Sequence, residues 1–456
     1  MRGIIINTTV VLFLFMLVGC ATVRTDEEWG RFQETAYKLT SRQLLWEKSE
    51  EEQAAIREEV DKLLLDGLSR EEAVRIALLN NRELQSSFEE IGISKSDLVQ
   101  AGFFTNPSIG AIFRFLLGGG GTNIEAEGFL NISDLWQIPF RKKAAAARME
   151  STIMRVGQKV LDVAAEARRA YNAAYYLAGA GEETEDILQR FREISEEAIV
   201  RRNFGFMNDQ DVYLAQIMVV EAEIEVSRFD SEMAMAKSRL DRTLGLSPGQ
   251  LDYEILGGMA EEQIAPPGLE EAIPYAMEHR LDVQMARFKI LETERKLELE
   301  NVLILKHVGL GVSFEKDPDE SEVFGPGIDI QMPLFDQNQA RISRARYMVR
   351  QARKNLQALG GQVREEITGD LEKVRFQQSR LRHLREKVIP LREKALDYAE
   401  RWVNAMQLNR LYLLEAQKGL LQSRRESLQA LLAFNNALVD LELHMGGKLE
   451  RTPSHQ

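Results

Sequence analysis

The chain repeats itself at a spacing of about 200 residues, and this duplication limits its possible folds more than any other feature. The segment that starts at Ser69, SREEAVRIALLNNRELQ, matches the segment GLEEAIPYAMEHRLDVQ that starts at Gly268, at an offset of 199. Later landmarks keep an offset of 201, including Gly245 with Gly446. Because chance rarely produces one register over about 180 residues, the sequence predicts two copies of one structural unit.

Each copy contains two short segments in which apolar residues alternate with polar or small ones. The first pair lies at about 107–134 and the second at about 307–335, where the polar stretch Lys316–Gly325 is the expected loop. This alternation is typical of β-strands with one apolar face. Each segment has about ten residues, which is the length of a tilted strand that crosses a bilayer.

Four strands are too few to close a barrel, and lipid does not tolerate an open sheet edge. If these strands cross a membrane, several chains must therefore contribute to one barrel. The alternative is that the strands are half-buried in a soluble sandwich, since alternation by itself is also compatible with that arrangement.

The remainder of each copy is predicted to be long helices with few breakers. The expected helices are Phe140–Phe204, Asp209–Leu246, Asn338–Val403 with a kink at Pro390, and Leu408–Met445. The first would extend on the order of 100 Å if it were continuous. Apolar residues recur at spacings of three and four, so the helices are expected to pack as antiparallel coiled coils.

The N-terminus has the features of a bacterial lipoprotein signal. Arg2 precedes the apolar run Ile4–Val18, and Leu17-Val18-Gly19-Cys20 matches the lipobox, in which the cysteine receives acyl chains such as palmitate. Ala21 favours delivery to the outer membrane rather than retention at the inner one. The alternative is an ordinary secretory signal followed by an incidental cysteine. Downstream, Glu47–Leu65 is an acidic amphipathic stretch that is expected either to lie as a helix along the protein or to act as a tether.

These features predict six regions along the chain. They are a signal peptide 1–19, a lipidated segment 20–66, a first repeat 67–251, a linker 252–267, a second repeat 268–447 and a tail 448–456.

The composition argues against several functions. A net charge of −13 without a basic tail argues against nucleic-acid binding. The single cysteine and five scattered histidines give no metal-ligand spacing, so neither a metal centre nor another cofactor is expected. Gly118–Gly121 lacks the lysine and helix start of a phosphate loop. We find no catalytic constellation and predict that the protein is not an enzyme.

Taken together, these features resemble the TolC family of outer-membrane efflux channels over about residues 66–447. The resemblance rests on the order of several short motifs along the chain and on the duplication of the whole unit. It includes the opening EEAVRIALLNN, Asn106-Pro107-Ser108 before the first strand, and Gly205, Asp211-Val212 and Ala215-Gln216 after the first long helix. The last strand is followed by Pro333-Leu334-Phe335-Asp336 and then Arg341. A weaker version of this motif in the first copy is Pro139-Phe140-Arg141.

The resemblance implies a mainly α-helical fold with a small transmembrane β part. Three chains would form a twelve-stranded β-barrel, and an α-helical barrel would continue it into the periplasm. The implied partners of this homotrimer are outer-membrane lipid, a periplasmic adaptor (membrane fusion) protein and, through the adaptor, an inner-membrane pump. The expected function is therefore passive efflux through an outer-membrane channel. The alternative is a lipid-anchored periplasmic coiled-coil scaffold or adaptor without a pore.

The resemblance places adaptor docking and gating at the two periplasmic turns, Arg201–Asp209 and Val403–Arg410. The docking candidates are Asn203, Gly205, Asn208, Asp209 and Asp211 in the first turn and Gln407, Asn409 and Arg410 in the second. The second turn departs from the pattern of the first. Met406 stands where the first turn has Gly205, and Tyr412 stands where it has Asp211. Tyr412 and Glu415 are the gate candidates; Glu415 either forms an acidic ring in the trimer or lies on a solvated helix face. Asp211 is expected to join the network at the turn, to cap the following helix, or both.

Overall fold

The structure is a computed structural model that describes residues 23–115, 121–247, 253–257, 265–319, 321–405 and 410–447. Its helices are α1 (Asp26–Thr40), α2 (Glu50–Leu64), α3 (Arg70–Asn80), α4 (Arg82–Gln100), α5 (Asp134–Asn203), α6 (Asp209–Leu244), α7 (Leu269–His279), α8 (Leu281–Val302), α9 (Gln339–His383), α10 (Ile389–Asn404) and α11 (Arg410–His444). Its strands are β1 (Ser108–Phe115), β2 (Thr122–Asn131), β3 (Val308–Lys316) and β4 (Glu322–Ile330).

The same order of elements occurs twice along the chain. Two helices, a hairpin and a long helical pair run from α3 to α6 and again from α7 to α11, where α9 and α10 together correspond to the single helix α5. A capping box begins α3. The Ser69 hydroxyl accepts from the Glu72 amide, and the Glu72 carboxylate accepts from the Ser69 amide.

A glycine follows the last long helix of each copy. Gly245 has φ +74° and Gly446 has φ +87°, a left-handed conformation that favours glycine. A Cβ on Gly245 would lie 2.1 Å from the Asn80 carbonyl oxygen, and one on Gly446 would lie 2.8 Å from the His279 carbonyl carbon. In both copies the glycine therefore allows the end of the long helix to contact the end of the opening helix.

The described residues form two compact units. The first takes in the described parts of Met1–Phe32, Glu89–Thr152 and Phe288–Ala352 and contains the sheet. The second takes in the described parts of Gln33–Phe88, Ile153–Arg287 and Arg353–Gln456. A cluster of buried apolar side chains from α7, α9 and α11, including Ala276, Ile367 and Leu441, forms part of its core.

Two sequence expectations need correction, and one helix was not expected. Helix α1 was missed because polar and charged residues outnumber apolar ones in it, although its acidic first turn is typical of a helix start. The expected loop Lys316–Gly325 is shorter, because Lys316 pairs with Glu322 and the ladder continues through Pro326. A proline is tolerated there because β4 is an edge strand.

The expected kink at Pro390 is a five-residue π-helical segment, Leu384–Val388, that separates α9 from α10. Pro390 lies in the first turn of α10, where its missing N–H costs little. The hydrogen-bond register shifts in the preceding turn because a proline ring clashes with the carbonyl four residues before it.

Candidate functional site

The four strands form one antiparallel sheet in the order β1-β2-β3-β4. Its register pairs Ile109 with Gly128, Gly128 with Val312, and Val312 with Pro326. Residues that are directly opposite one another share a face, so this row and every second row from it lie on the same side. The register therefore assigns each strand residue to one of two faces.

One face of the sheet is apolar over most of its extent. It carries Ile109, Ala111, Phe113, Phe115, Ile124, Ala126, Leu130, Val308, Leu310, Val312, Phe314, Phe324, Pro326, Ile328 and Ile330. Many of these side chains are exposed, among them Ile109 at 86%, Phe324 at 71% and Ile328 at 69% of full accessibility. An exposed apolar surface of this size indicates contact with lipid or with another protein.

The opposite face carries the polar side chains. Arg114 forms an ion pair with Glu125 at 2.7 Å, and the Asn123 amide donates to Glu315 at 3.0 Å. The Phe129 ring also lies on this face, over glycines: a Cβ on Gly311 would lie 2.6 Å from its Cδ1, and one on Gly327 would lie 3.2 Å from its Cε1. The predicted separation of apolar and polar faces is confirmed.

The sheet has two open edges. In the strand order, β1 and β4 each have one neighbour among the described strands. Unpaired edges expose a row of N–H and C=O groups that can pair with another chain. Because the sheet contains an even number of antiparallel strands, β4 of one copy can continue antiparallel onto β1 of the next.

An aspartate–arginine pair fixes the start of the long helix that follows each hairpin. Asp134 is buried; one oxygen accepts from the Thr105 amide at 2.6 Å and the other pairs with Arg141 at 2.6 Å. Asp336 is exposed and pairs with Lys306 and Arg341, each at 2.6 Å. The Lys306 ammonium, helped by the Asn338 amide and Arg341, lowers the pKa of the Asp336 carboxyl to about 2.

Sequence comparison of the two copies missed Asp134. The sequence offered only Pro139-Phe140-Arg141 as a weaker version of Pro333-Leu334-Phe335-Asp336 with Arg341. The aspartate that pairs with Arg141 lies seven residues before it, whereas Asp336 lies five residues before Arg341. The buried aspartate was therefore hidden by a difference in local spacing.

The first turn is compact and well defined. Gly205 has φ +76°, its amide donates to the Arg202 carbonyl, and the Phe206 amide donates to the Arg201 carbonyl, each at 2.9 Å. This is the Schellman arrangement that ends a helix at a left-handed glycine. A Cβ on Gly205 would meet no atom within 4 Å, so the requirement for glycine here comes from φ.

The next helix, α6, begins at this turn with a cap that differs from the expected one. The N-cap is Asn208, whose side-chain oxygen accepts from the Asp211 amide at 2.8 Å. Asp211 is therefore three residues inside the cap, and the interpretation of Asp211 as the N-cap is wrong. An amide side chain fits the extended backbone at this position equally well, which the sequence pattern does not distinguish. Asp209 forms an exposed ion pair with Arg202 at 2.7 Å, and Asn203 ends α5 exposed.

Sequence reasoning also missed the most exposed side chains of the first turn. Phe204 and Phe206, on either side of Gly205, are 73% and 81% exposed. Met207 instead packs on a small buried cluster of Ala198, Val212 and Ala215. The sequence signal for these side chains is a pair of phenylalanines that flank the turn glycine.

The second turn is only partly described. Gln407 and Asn409 lie outside the described residues, as does Cys20, and α11 begins at Arg410. Tyr412 and Glu415 are exposed, three residues apart on one face of α11. Leu414 between them is buried and packs with Leu188, Phe191, Met218 and Ala222 from α5 and α6.

The described residues contain neither a membrane-spanning helix nor a cluster of metal ligands. None of the helices within the described ranges is both long and apolar enough to cross a lipid bilayer. Across the described part of the chain, no three histidine, cysteine, aspartate or glutamate side chains are grouped so that they could hold a metal ion.

The sequence matches no family model and no curated protein sequence. Solved structures do match the fold. The Campylobacter jejuni outer-membrane channel CmeC aligns with a TM-score of 0.71 and 14% identity, covering 84% of this chain and 87% of CmeC. The Vibrio cholerae outer-membrane protein VceC aligns with a TM-score of 0.68 and 15% identity, covering 86% of this chain and 97% of VceC.

The Neisseria gonorrhoeae outer-membrane channel MtrE aligns with a TM-score of 0.68 and 15% identity, covering 84% of this chain and 90% of MtrE. The alignments therefore extend over most of this chain and most of each of these relatives. The resemblance seen in the sequence is confirmed at the level of the fold: the chain has the fold of the outer-membrane channels CmeC and MtrE.

Proposed function

We propose that the protein is the outer-membrane channel of a tripartite efflux or secretion system. The observation that carries the proposal is the single four-stranded sheet with one exposed apolar face and two open edges. Such a sheet is stable in lipid only when its edges are paired. The apolar face would contact outer-membrane lipid, and the face with Glu125 and Glu315 would line the channel.

The number of copies follows from the size of the barrel. Two chains would give eight strands, and the interior of an eight-stranded barrel is largely filled by side chains. Three chains would give twelve strands and room for an aqueous lumen, which agrees with the homotrimer implied by the sequence resemblance. We therefore propose a homotrimer, with the Cys20 acyl chains as an additional anchor.

The first turn is proposed to dock a periplasmic adaptor protein, which would connect the channel to an inner-membrane pump. Phe204 and Phe206 support this role, because exposed aromatic side chains at a rigid turn can supply the buried anchors of a protein interface. Asn203, Gly205, Asn208, Asp209 and Asp211 would shape the turn. A photo-crosslinking residue at Phe206, with one at Tyr347 as the control, should capture the adaptor only from position 206.

The gate is proposed to lie at the start of α11. Three copies of Glu415 would form an acidic ring at the closed mouth, with Tyr412 beside it, and opening would be an iris-like movement of the helices near the turns. Cargo selection would remain with the pump, and the chain itself would carry out no chemical reaction.

The experiment is single-channel conductance of the mature protein in planar bilayers, together with its mass in detergent. Stable trimers with discrete conductance steps support the channel. Glu415→Ala should change the conductance, whereas Glu400→Ala, an exposed glutamate on α10, should not. If the trimers conduct and Glu415→Ala leaves the conductance steps unchanged, the proposed channel stands and the proposed gate at Glu415 is wrong. Folded monomers without conductance would instead favour a lipid-anchored scaffold.

A further inference from the structure

We propose that a cavity in the wall of the helical unit binds amphiphilic organic cations, molecules that join an aromatic or aliphatic group to an ammonium. The cavity lies among α5, α6 and α11 and has a volume of about 340 Å³. This volume is within the range of small-molecule sites. Its apolar lining includes Ile187, Phe191, Met218, Ala222 and Leu421.

The charges that line this cavity leave one carboxylate in excess. Five charged side chains line it, three glutamates and two cations. Lys418 pairs with Glu221 at 3.3 Å and Arg425 pairs with Glu225 at 3.0 Å. These pairs account for both cations of the lining, so Glu183 supplies a net charge of −1.

Glu183 is held in an unfavourable environment for a charged group. Its Oε2 atom is buried and has no hydrogen-bond partner within the described residues. Burial raises the pKa of this carboxyl; Arg424 lowers it, but Arg424 already pairs with Glu393 at 3.3 Å. A buried polar atom without a partner costs free energy, and a ligand ammonium would remove that cost.

The two properties together define the ligand class. The apolar lining favours an aromatic or aliphatic body, and the carboxylate in excess favours a positive charge over a neutral or negative group. The inference is independent of the proposed channel function, because it needs only the folded helices. Failure of either one leaves the other in place.

The experiment is a calorimetric titration of the full-length purified protein at neutral pH with benzylammonium, a protonated amine that carries three N–H donors. The comparison probe is ethylbenzene, its neutral isostere. Wild type should bind the cation at least tenfold more tightly than the neutral probe, since the charge pair forms in a partly desolvated site. Glu183→Gln should weaken cation binding about tenfold and remove the preference.

Two controls keep the result specific. Glu182→Gln removes an exposed carboxylate outside the lining and should leave the affinity unchanged. Ala222→Leu should occupy the cavity and abolish binding of both probes, in protein whose circular dichroism spectrum is unchanged. No binding to wild type, equal affinity in Glu183→Gln, or binding that survives Ala222→Leu would each overturn the proposal.

Discussion

The Nδ1 atom of His444 lies 2.5 Å from the Oδ2 atom of Asp370, and this contact joins the last residue of α11 to the C-terminal half of α9. Asp370 is buried. Beside it, the Arg280 guanidinium contacts both Glu366 at 2.6 Å and the His444 carbonyl at 3.2 Å.

The corresponding contact in the first copy is made by amide side chains. Asn80 donates to the Leu244 carbonyl and Asn81 donates to the Thr243 carbonyl. The contact between these helix ends is therefore ionic in the second copy and neutral in the first.

This difference makes stability depend on pH in the second copy. The hydrogen bond to Asp370 raises the pKa of His444, against the opposing effect of burial. A raised pKa in the folded state adds stability that is fully present below the ordinary histidine value of about 6.5 and is lost as pH rises through the folded value. His444→Gln should therefore lower the free energy of unfolding by about 1–2 kcal/mol at pH 6 and by less at pH 9.

The measurement is the thermal unfolding midpoint of wild type and variant at pH 6, 7, 8 and 9. His383→Gln, which changes an exposed histidine on α9, should show no such trend. A difference between wild type and His444→Gln that stays constant with pH would contradict the role given to this pair.

The two faces of β3 should respond oppositely to an added charge. Val312 lies on the apolar face and Ser313, its neighbour, on the polar face. Arginine near the centre of a lipid-facing strand costs about 2–4 kcal/mol, whereas on a water-lined face it costs little. Val312→Arg should thus lower the temperature at which the purified oligomer dissociates, and Ser313→Arg should barely change it. Equal effects would show that the apolar face does not contact lipid.

The two aspartates at the helix starts should differ in their contribution to stability. Removing Asp134 leaves the Thr105 amide and Arg141 without their buried partner, so Asp134→Ala should destabilise the protein by about 3 kcal/mol. Asp336→Ala removes an exposed carboxylate and should cost much less. Thermal unfolding of both variants at pH 7 checks the order. A larger loss for Asp336→Ala would contradict it.

An added methyl group on the polar face of the sheet should destabilise the protein at Gly311 and have little effect at Gly325. A Cβ on Gly311 would lie 2.1 Å from the Gly128 carbonyl oxygen, which is backbone and cannot move aside, so Gly311→Ala should cost at least about 2 kcal/mol. A Cβ on Gly325, on the same face, would meet no atom within 4 Å. Gly325→Ala should be neutral or slightly stabilising because it restricts the unfolded chain. Yield of folded oligomer and its dissociation temperature distinguish the two, and equal values would exclude the close packing seen here.

Part of the candidate site was predictable because it depends on local chemistry. Gly205 was singled out through the resemblance to the channel family, and its left-handed φ is the local reason for a glycine at this turn. The cap was predicted less well, since Asn208 and Asp211 are both competent caps and only the backbone shows which one is used. The pair between Asp134 and Arg141 was not predictable by matching the two copies, because it joins residues seven apart in one copy and five apart in the other.

The sequence by itself determined the periodicities and therefore the elements. Alternation along β1 to β4 set which side chains share a face, and the spacing of apolar residues predicted the long helices, because both patterns arise from the geometry of a single strand or helix. Tertiary structure decided what depends on contacts between distant segments. These are the pairing of β2 with β3 that joins two hairpins into one sheet, the ionic contact at His444, and the buried Oε2 atom of Glu183 at its cavity. Such contacts follow from the way elements pack against one another, and the residues that form them are scattered along the chain with no period to reveal them.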